Sequence, residues 1–331
     1  MINRNFLKTL VGVFCLLPHV VYAQAGSQAL NFLEPPINEL SDQTNFSDAD
    51  TDIFFPDGLI ALPEKTRHLI WTELNNGKLH LLERLGSKRY RVIKTIPISI
   101  GKKGYGKEVE GDKKTPVGVY RVTSYIPEAD LTDFYGLGAY PINYPNNWDR
   151  LQKRTGYGIW LHGLPKGVDQ RPLLDSDGCV VVDNQSLTYL DDYISTGETL
   201  VVLANDLTWQ TTELETNDST KILEAVSFWQ EAWESLDAEA YLDNYHPEFS
   251  DFNRDLQAWK IYKTQINRRK SHIDVDLSDL SAIRYPGADD LISVRFFQQY
   301  ESSNYNWAGW KELLWKKDSD GRWKIVFEGN G

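Results

Sequence analysis

The chain has 331 residues, a net charge of −12 and 12% aromatic residues, including eleven tryptophans. This length predicts two domains, and the aromatic content is enough for a sizeable core. An acidic chain without a basic run lacks the electrostatic footprint of a nucleic-acid-binding protein. The six histidines show no HxxxH or CxxC spacing, so we expect no metal site, and no pattern indicates another cofactor.

The N-terminus has the pattern of a cleavable signal peptide, residues 1–23. Arg4 and Lys8 form a short positive region before an apolar run over residues 9–21 that is too short to span a bilayer comfortably. The residues before Ala23 suit signal peptidase, so we expect cleavage after it. The sequence therefore predicts an exported protein without a transmembrane segment in the mature chain. A retained N-terminal anchor helix is the alternative.

The pattern up to residue 204 is that of a mainly β domain. Residues 24–64 are polar and predict an irregular or partly helical lead-in. A hairpin is predicted next, because Asn-Asn-Gly separates two strand-like runs. Short strands with glycine and proline punctuation then indicate one β domain over residues 65–204. The predicted strands are 68–71, 78–83, 90–101, 115–122, 159–162, 180–182 and 199–203, the last closing the sheet, with a short helix over 185–194.

A second unit follows. Residues 205–219 are polar and read as a linker. Apolar residues at helical spacing then predict an amphipathic helix over 221–236. Helices followed by antiparallel strands indicate an α+β unit over residues 220–331. It should contain a second helix over 255–269, strands over 291–300 and 307–316, and a last strand on which Trp323, Ile325 and Phe327 share one face.

Cys179 is the strongest candidate for a catalytic residue. It ends the motif Ser-Asp-Gly-Cys, residues 176–179, and follows His162 and Gly163 in the chain. Signal-peptide cleavage would remove Cys15, and a lone thiol in an oxidising compartment has no disulfide to explain it. A cysteine has a pKa near 8.5, so an imidazole is needed as general base or ion-pair partner.

The residues around the pair fit acyl-transfer chemistry. The carbonyl of Gly163 can hold the second ring nitrogen of His162. Gly178 lets the backbone bend so that N–H groups meet the oxygen of a tetrahedral intermediate, each donor being worth about 3 kcal/mol of barrier. Taken singly, a cysteine on a strand is usually a small buried hydrophobe, and a lone histidine a satisfied polar residue. The two motifs together favour the catalytic interpretation.

This combination resembles the catalytic domain of the L,D-transpeptidases, which have the YkuD-type fold. The matching motifs are Thr115-Pro116-x-Gly118, His162-Gly163 and Ser176-x-Gly178-Cys179, and the resemblance covers roughly residues 65–204. It implies a mainly β, β-sandwich-type catalytic domain. It also implies a periplasmic enzyme without a cofactor that acts on peptidoglycan stem peptides.

The resemblance also implies a reaction. The thiolate of Cys179 would attack the carbonyl at the L-centre of the third stem residue, usually meso-diaminopimelate, and the terminal D-Ala would leave. A diaminopimelate amine of another stem would then resolve the thioester as a 3–3 cross-link. By the same resemblance His162 is the base, Gly163 its orienter, and Ser176 and Gly178 belong to the oxyanion-hole motif.

Two positions depart from the family pattern. The family usually has His where this chain has Asp177, and Arg where it has Val181. Arg171, in the loop between the two motifs, is the candidate to bind a stem-peptide carboxylate instead, because a planar guanidinium suits carboxylates. A solvated loop charge is the alternative. Lys102, Lys103 and Lys107, in a glycine-rich turn, either flank the substrate cleft or are solvated.

The C-terminal unit resembles, at pattern level, the nuclear-transport-factor-type cone, also called SnoaL-like. That fold curls a sheet around helices and leaves a pocket. Four tryptophans either line such a pocket or pack in the core, namely Trp307, Trp310, Trp315 and Trp323. The pairing of the two domains also resembles the cell-shape L,D-carboxypeptidases, which use the same Cys–His chemistry with water as acceptor.

Three functions stay open on the sequence. The first is an L,D-transpeptidase in cell wall biogenesis and cell shape. The second is an L,D-carboxypeptidase that trims tetrapeptides to tripeptides, which differs only in what reaches the thioester. The third is an inactive wall-binding scaffold whose cone domain does the work. The intact pair of Cys179 and His162 argues against the scaffold.

Overall fold

The computed structural model describes residues 54–211 and 217–331. The predicted signal peptide and most of the lead-in lie outside these ranges. Within the described residues, no helix has the length and apolar character needed to cross a membrane. Strands make up 41% and helices 21% of the structure, which confirms the prediction of a mainly β domain joined to an α+β domain.

The N-terminal domain consists of short strands and two helices. The helices are α1 (Asn147–Leu151) and α2 (Asn184–Asp191). The strands are β1 (Phe54–Pro56), β2 (Leu59–Ala61), β3 (His68–Glu73), β4 (Lys78–Gly86), β5 (Arg89–Pro97), β6 (Ile100–Gly101), β7 (Gly118–Arg121), β8 (Ile126–Pro127), β9 (Gly138–Pro141), β10 (Trp160–Gly163), β11 (Leu174–Ser176), β12 (Val180–Val182), β13 (Leu200–Ala204) and β14 (Trp209–Thr211).

The C-terminal domain has its helices first and its strands last, as predicted. The helices are α3 (Asn217–Glu234), α4 (Ala238–Asp243) and α5 (Leu256–Asn267). The strands are β15 (Ile273–Arg284), β16 (Leu291–Ser302), β17 (Trp307–Lys317) and β18 (Trp323–Asn330).

Two sheets pack against each other in the N-terminal domain. One has the order β5-β4-β3-β13-β7 and the other the order β12-β10-β9-β8. The predicted hairpin is confirmed, since β3 and β4 pair antiparallel and Gly77 closes their turn at φ +59°. A buried apolar cluster between the sheets includes Ile70, Tyr120, Leu161 and Val201, and its burial holds the sandwich together.

Strand β13 occupies a different place from the one predicted. It lies between β3, with which it pairs parallel, and β7, with which it pairs antiparallel. It is therefore an inner strand and does not close the sheet. All five of its residues are buried, as its continuous apolar sequence requires of a strand covered on both faces.

The lead-in and the linker contribute strands that the sequence pattern did not predict. Strand β1 pairs with β14, which lies in the predicted linker. Strand β2 pairs with β15 and becomes the edge of the C-terminal sheet, whose order is β18-β17-β16-β15-β2. Strands of three residues are too short for a two-residue periodicity to be recognised.

The C-terminal sheet contains one bulge that changes which side chains face its helices. Trp315 pairs with Ile325, but Leu314 pairs with Phe327, so Val326 is the extra residue. A bulge reverses the alternation of side chains beyond it. Ile325 therefore packs in the core beneath the helices, and Phe327 packs on the opposite face. The predicted shared face of Trp323, Ile325 and Phe327 is wrong at Phe327 for this reason.

Within the described residues, the two domains form one compact unit. Ile283 of the C-terminal sheet packs within an apolar cluster of the N-terminal domain. The Nδ2 of Asn146 donates to the Tyr285 hydroxyl at 2.9 Å across the boundary. The two domains therefore pack against each other and are not connected by the linker alone.

Candidate active site

Two neighbouring parallel strands bring the sequence motifs together. Strand β10 pairs with β12 so that Leu161 lies opposite Val180 and His162 opposite Val181. Cys179 directly precedes β12 and is level with Trp160, the first residue of β10. Because side chains alternate along a strand, Trp160 and His162 share one face. The thiol and the imidazole are thereby carried by adjacent strands at the same end of the sheet.

Two buried hydroxyl groups hold the loop before the nucleophile. Thr115 Oγ1 donates to the carbonyl of Gly178 at 3.0 Å and accepts the Gly101 N–H at 2.9 Å. Ser176 Oγ donates to the Cys179 carbonyl at 2.7 Å and accepts the Gly178 N–H at 3.1 Å. The hydroxyls of Thr115 and Ser176 therefore fix the backbone from which the thiol projects.

Gly178 is required by the geometry of this loop. Its φ is +130°, a conformation that residues with a side chain rarely adopt, and a Cβ there would lie 2.8 Å from the carbonyl oxygen of Lys114. Its N–H is already bonded to Ser176 Oγ, so in this conformation neither group is free to bind an oxyanion. Ser176 and Gly178 shape the loop that presents Cys179.

His162 is buried and held as a neutral base. Its Nδ1 lies 2.7 Å from the carbonyl oxygen of Gly163. A carbonyl only accepts hydrogen bonds, so Nδ1 carries the proton and Nε2 keeps a free lone pair. Burial lowers the pKa of His162 to about 4, with the Gly163 carbonyl opposing this shift and the charge of Arg171 adding to it. The imidazole is therefore neutral at pH 7.

Asn184 is a residue of the site that the sequence analysis did not identify. Its Oδ1 accepts the N–H of Leu137 at 3.1 Å, and its Nδ2 donates to the carbonyl of Leu164 at 3.0 Å. A Cβ on Gly163 would clash with the Oδ1 of Asn184, so glycine is needed there. The amide thus fixes the backbone beside the carbonyl that orients His162. The sequence feature that could have identified Asn184 is its position at the start of α2, directly after β12.

Cys179 is half-buried, and its thiol is protonated in the free protein. Its Sγ lies 3.5 Å from the carbonyl oxygen of Gly158 and donates a weak hydrogen bond to it. The thiol hydrogen bond is therefore made to this carbonyl and not to the imidazole of His162. Burial raises the pKa of the thiol, although the backbone N–H of Trp160 and the charge of Arg171 lower it. A neutral thiol beside a neutral imidazole favours general-base activation over a preformed ion pair.

Two aromatic residues of the segment before β9 cover the imidazole, and the sequence analysis did not identify them. The Tyr135 ring centroid lies 5.1 Å from that of His162 and 4.9 Å from that of Trp160. The Phe134 ring lies 6.3 Å from His162 and is 50% exposed. Burial and the neighbouring Cys179 raise the pKa of the Tyr135 hydroxyl. The pair shields the site and presents an apolar surface beside it.

Arg171 lies against this aromatic pair and is not a solvated loop charge. Its side chain is 11% exposed, and its guanidinium carbon lies 5.4 Å from the Phe134 ring centroid. Its Nε donates to Asp175 Oδ2 at 2.7 Å. One terminal nitrogen is buried without a hydrogen-bond partner among the residues that the structure describes. Arg171 therefore has one hydrogen-bond donor without a partner among the described residues. Its positive charge lowers the pKa of both His162 and Cys179.

The lysines of the glycine-rich turn take different roles. Lys107 is buried and bonds Asp112 at 2.8 Å, so it supports the turn. Lys102 Nζ lies 3.2 Å from Asp177 Oδ1, next to the nucleophile, and Lys103 is exposed. Val181 is buried in β12, so no side chain reaches the site from the position where the family carries arginine.

A cavity of about 530 Å³ is lined mainly by the C-terminal domain, together with Asn147 and Arg150 of α1. Lys263 lies in its wall, buried against the rings of Trp233 and Trp259, and 3.5 Å from the buried carboxylate of Glu328. The side-chain amide of Asn267 is buried there without a partner among the described residues.

The four tryptophans proposed for this cavity have different environments. Trp307 lines the cavity. Trp310 lines a separate crevice between the domains. Trp315 and Trp323 line neither of these two cavities and belong to the apolar core, which was the alternative prediction for these tryptophans.

The family models divide the chain at the same places as the structure. The model of the L,D-transpeptidase catalytic domain, YkuD, matches residues 67–203. The model of the Cds6 C-terminal NTF2-like domain matches residues 221–329. No curated protein matches the chain. Between residues 54 and 331, apart from the undescribed segment 212–216, no three His, Cys, Asp or Glu side chains are grouped as metal ligands would be.

Solved structures share both domains. Bd1075 of Bdellovibrio bacteriovorus is 30% identical, with a TM-score of 0.70, over 83% of this chain and 97% of that one. A point mutant of the helical cell shape determining protein Pgp2 of Campylobacter jejuni is 26% identical, with a TM-score of 0.71, over 82% of this chain and 94% of that one. Another Pgp2 structure is 25% identical, with a TM-score of 0.68, over 86% and 96%.

Proposed function

Because the chain belongs to the L,D-transpeptidase family, with a YkuD catalytic domain followed by an NTF2-like domain, we propose that it is a periplasmic cysteine enzyme that modifies peptidoglycan stem tetrapeptides. The observation that carries this proposal is the imidazole of His162 on the strand beside Cys179, which burial keeps neutral and the Gly163 carbonyl holds in the tautomer with a free Nε2. By similarity to Pgp2, its products would influence cell shape.

The first half of the reaction follows from the site. Nε2 of His162 takes the thiol proton as Sγ of Cys179 attacks the carbonyl of the third stem residue. The tetrahedral intermediate collapses with cleavage of the peptide bond to the terminal D-Ala, whose amine receives the proton from the imidazole. The product is a thioester on Cys179 and free D-Ala, so no other energy source is required.

Arg171 is the proposed anchor for the substrate. Its buried, unpaired nitrogen offers a charged donor for a carboxylate of the stem peptide. Phe134 and Tyr135 would cover the apolar part of the bound peptide.

The second half of the reaction has two candidate acceptors. A diaminopimelate amine from another stem gives a 3–3 cross-link and makes the protein an L,D-transpeptidase. Water gives a tripeptide and makes it an L,D-carboxypeptidase. The observation that favours water is buried Val181, because the site lacks a second fixed cation where the family carries arginine.

Muropeptide analysis tests the proposal. Purified sacculi rich in tetrapeptides would be incubated with the wild-type protein or with Cys179→Ala, digested to muropeptides and separated by chromatography. New 3–3 dimers identify a transpeptidase, and tripeptides alone identify a carboxypeptidase. Either product must disappear with Cys179→Ala. If the wild-type protein leaves the tetrapeptides unchanged, both enzymatic functions are excluded and the inactive wall-binding scaffold is the function that remains.

The cavity of the C-terminal domain supports a wall-binding role alongside the reaction. It combines buried aromatic rings, the Lys263–Glu328 pair and an unpartnered Asn267 amide, which is the lining expected of a site for a polar ligand with apolar faces. We expect Cys179→Ala to bind disaccharide tetrapeptide, and Asn267→Leu in that background to weaken binding. Equal affinity with Asn267→Leu would argue against this site.

A further inference from the structure

A crevice between the two domains contains a pair of arginines. Two adjoining cavities, of about 240 and 440 Å³, share Arg121, Ser281 and Arg295 in their walls. Arg121 ends β7 of the catalytic domain, whereas Ser281 and Arg295 belong to β15 and β16 of the C-terminal domain. Arg121 donates to the backbone carbonyl of Glu198 and to Ser281 Oγ, each at 3.0 Å.

The guanidinium of Arg295 has no hydrogen-bond or ion-pair partner within residues 54–211 and 217–331. Its guanidinium carbon lies 3.7 Å from the centroid of the Trp310 ring, and this stacking is its main contact. Its Nε is buried without a hydrogen bond. A buried guanidinium donor is normally satisfied, because an unpaired one loses its hydration without replacement.

Two carboxylates in the walls of the crevice have partners other than its two arginines. Asp279 pairs with Lys65 at 2.6 Å. Glu312 accepts hydrogen bonds from Ser293 Oγ at 2.7 Å and from Asn147 Nδ2 at 2.6 Å. Neither carboxylate approaches a guanidinium of the crevice closely enough to form an ion pair.

Nearby carboxylates therefore offset the positive charge of the two arginines only through space, and none of them forms an ion pair with either guanidinium among the described residues. Glu198 is exposed; its backbone carbonyl accepts a hydrogen bond from Arg121, and its carboxylate acts on Arg121 only through its charge. Burial and the charge of Arg295 lower the pKa of Arg121 to about 10. The two partly buried guanidinium groups repel each other, and an anion between them would relieve this repulsion. The chain as a whole carries a net charge of −12, so the two arginines of the crevice have the opposite sign to the net charge of the protein.

We propose that this crevice binds a small oxyanion, a phosphate or carboxylate group, between Arg121 and Arg295. Planar guanidinium groups suit both anions, and the free Nε of Arg295 supplies a donor that no protein group fills among the described residues. One arginine comes from each domain, so the bound anion would tie the catalytic domain to the C-terminal domain. The crevice is separate from the thiol site, and the inference does not depend on the proposed reaction.

Isothermal titration calorimetry with inorganic phosphate, and separately with citrate, tests the proposal at constant ionic strength. We expect one site on the full-length protein and at least roughly tenfold weaker binding to Arg295→Gln, because a charged hydrogen bond is lost. Stronger binding of phosphate or of citrate distinguishes a free phosphate from an organic carboxylate as the ligand. Arg89→Gln is the matched control, since it removes an exposed arginine of β5 that lines neither cavity.

Cys179→Ala should bind phosphate like the wild type, which separates this site from the active site. Arg295→Lys serves if Arg295→Gln is unstable. It retains the charge but loses the planar fork, and should also bind more weakly. Absence of binding of both anions at millimolar concentrations would overturn the proposal. So would equal affinity of the wild type and both Arg295 variants.

Discussion

The buried imidazole of His162 makes the stability of the protein sensitive to acid. Its pKa is about 4 in the folded state and near 6.5 when the chain is unfolded. Between these values the unfolded chain binds more protons, so stability falls as the pH falls from 6.5 to 4. The stabilisation is fully present above pH 6.5, and about 3 kcal/mol of it is lost across this window.

His162→Asn should remove this dependence. Denaturant unfolding of both proteins at about pH 7 and pH 4.5 would measure it, and the wild type should lose more of its unfolding free energy than the variant. The acidic groups of the protein contribute equally to both curves, so the difference isolates His162. Parallel losses in the two proteins would contradict a neutral, buried imidazole.

Arg171 should matter more for the reaction than an ordinary loop charge. We expect Arg171→Gln to lower kcat/KM on a soluble tetrapeptide by roughly ten- to a hundredfold, because a charged hydrogen bond to the substrate is lost. Steady-state kinetics measures this. Lys166→Gln is the control, since Lys166 is an exposed cation of the same loop, paired with Glu128. Wild-type kinetics for Arg171→Gln would place the carboxylate site elsewhere.

At the scale of single elements, the hydroxyl of Thr115 should decide the shape of the nucleophile loop. Thr115→Val keeps the volume but leaves the Gly101 N–H and the Gly178 carbonyl without their buried partner. We expect a loss of about 1–3 kcal/mol in unfolding free energy, together with a fall in kcat. Thr115→Ser should recover most of both, because it restores the hydroxyl. Failure of serine to rescue activity would argue against the hydrogen bonds as the cause.

The elements that sequence patterns predicted well are those with enough residues to show a period. The β3–β4 hairpin and helix α3 were recognised from turn chemistry and from apolar spacing. The place of β13 inside its sheet could not be read from its sequence, because strand order depends on contacts between distant segments. The bulge at Val326 was likewise hidden, since it inserts one residue into an otherwise regular strand.

The sequence marked the two motifs of the candidate site, but not the residues that surround them in the structure. Cys179 is recognisable from one short motif, and His162 and Gly163 are recognisable from another. Tyr135 and Asn184 come from other elements and approach the site only through folding. No local pattern marks such residues. The sequence also could not show that the Gly178 N–H and the Ser176 hydroxyl, predicted to bind an oxyanion, are bonded to each other. That hydrogen bond depends on the folded conformation of the loop.

At the scale of the whole molecule, the two domains should unfold together. Tyr285 of the C-terminal domain is buried, and its hydroxyl accepts from Asn146 at 2.9 Å. Tyr285→Phe should lower the unfolding free energy by about 1–2 kcal/mol in a single transition. Tyr157→Phe, at an exposed position, should have no effect. Calorimetry decides this, and two separate transitions would contradict a shared interface.

In the proposed reaction, Cys179 forms a thioester with the third residue of the stem peptide. The most direct measurement is mass spectrometry of the intact protein, quenched in acid after brief incubation with disaccharide tetrapeptide. We predict an adduct with the mass of the disaccharide tripeptide acyl group, located on Cys179 by peptide mapping and absent from Cys179→Ala. Release of D-Ala by the wild type with no adduct on Cys179, or with an adduct on another residue, would contradict the claim.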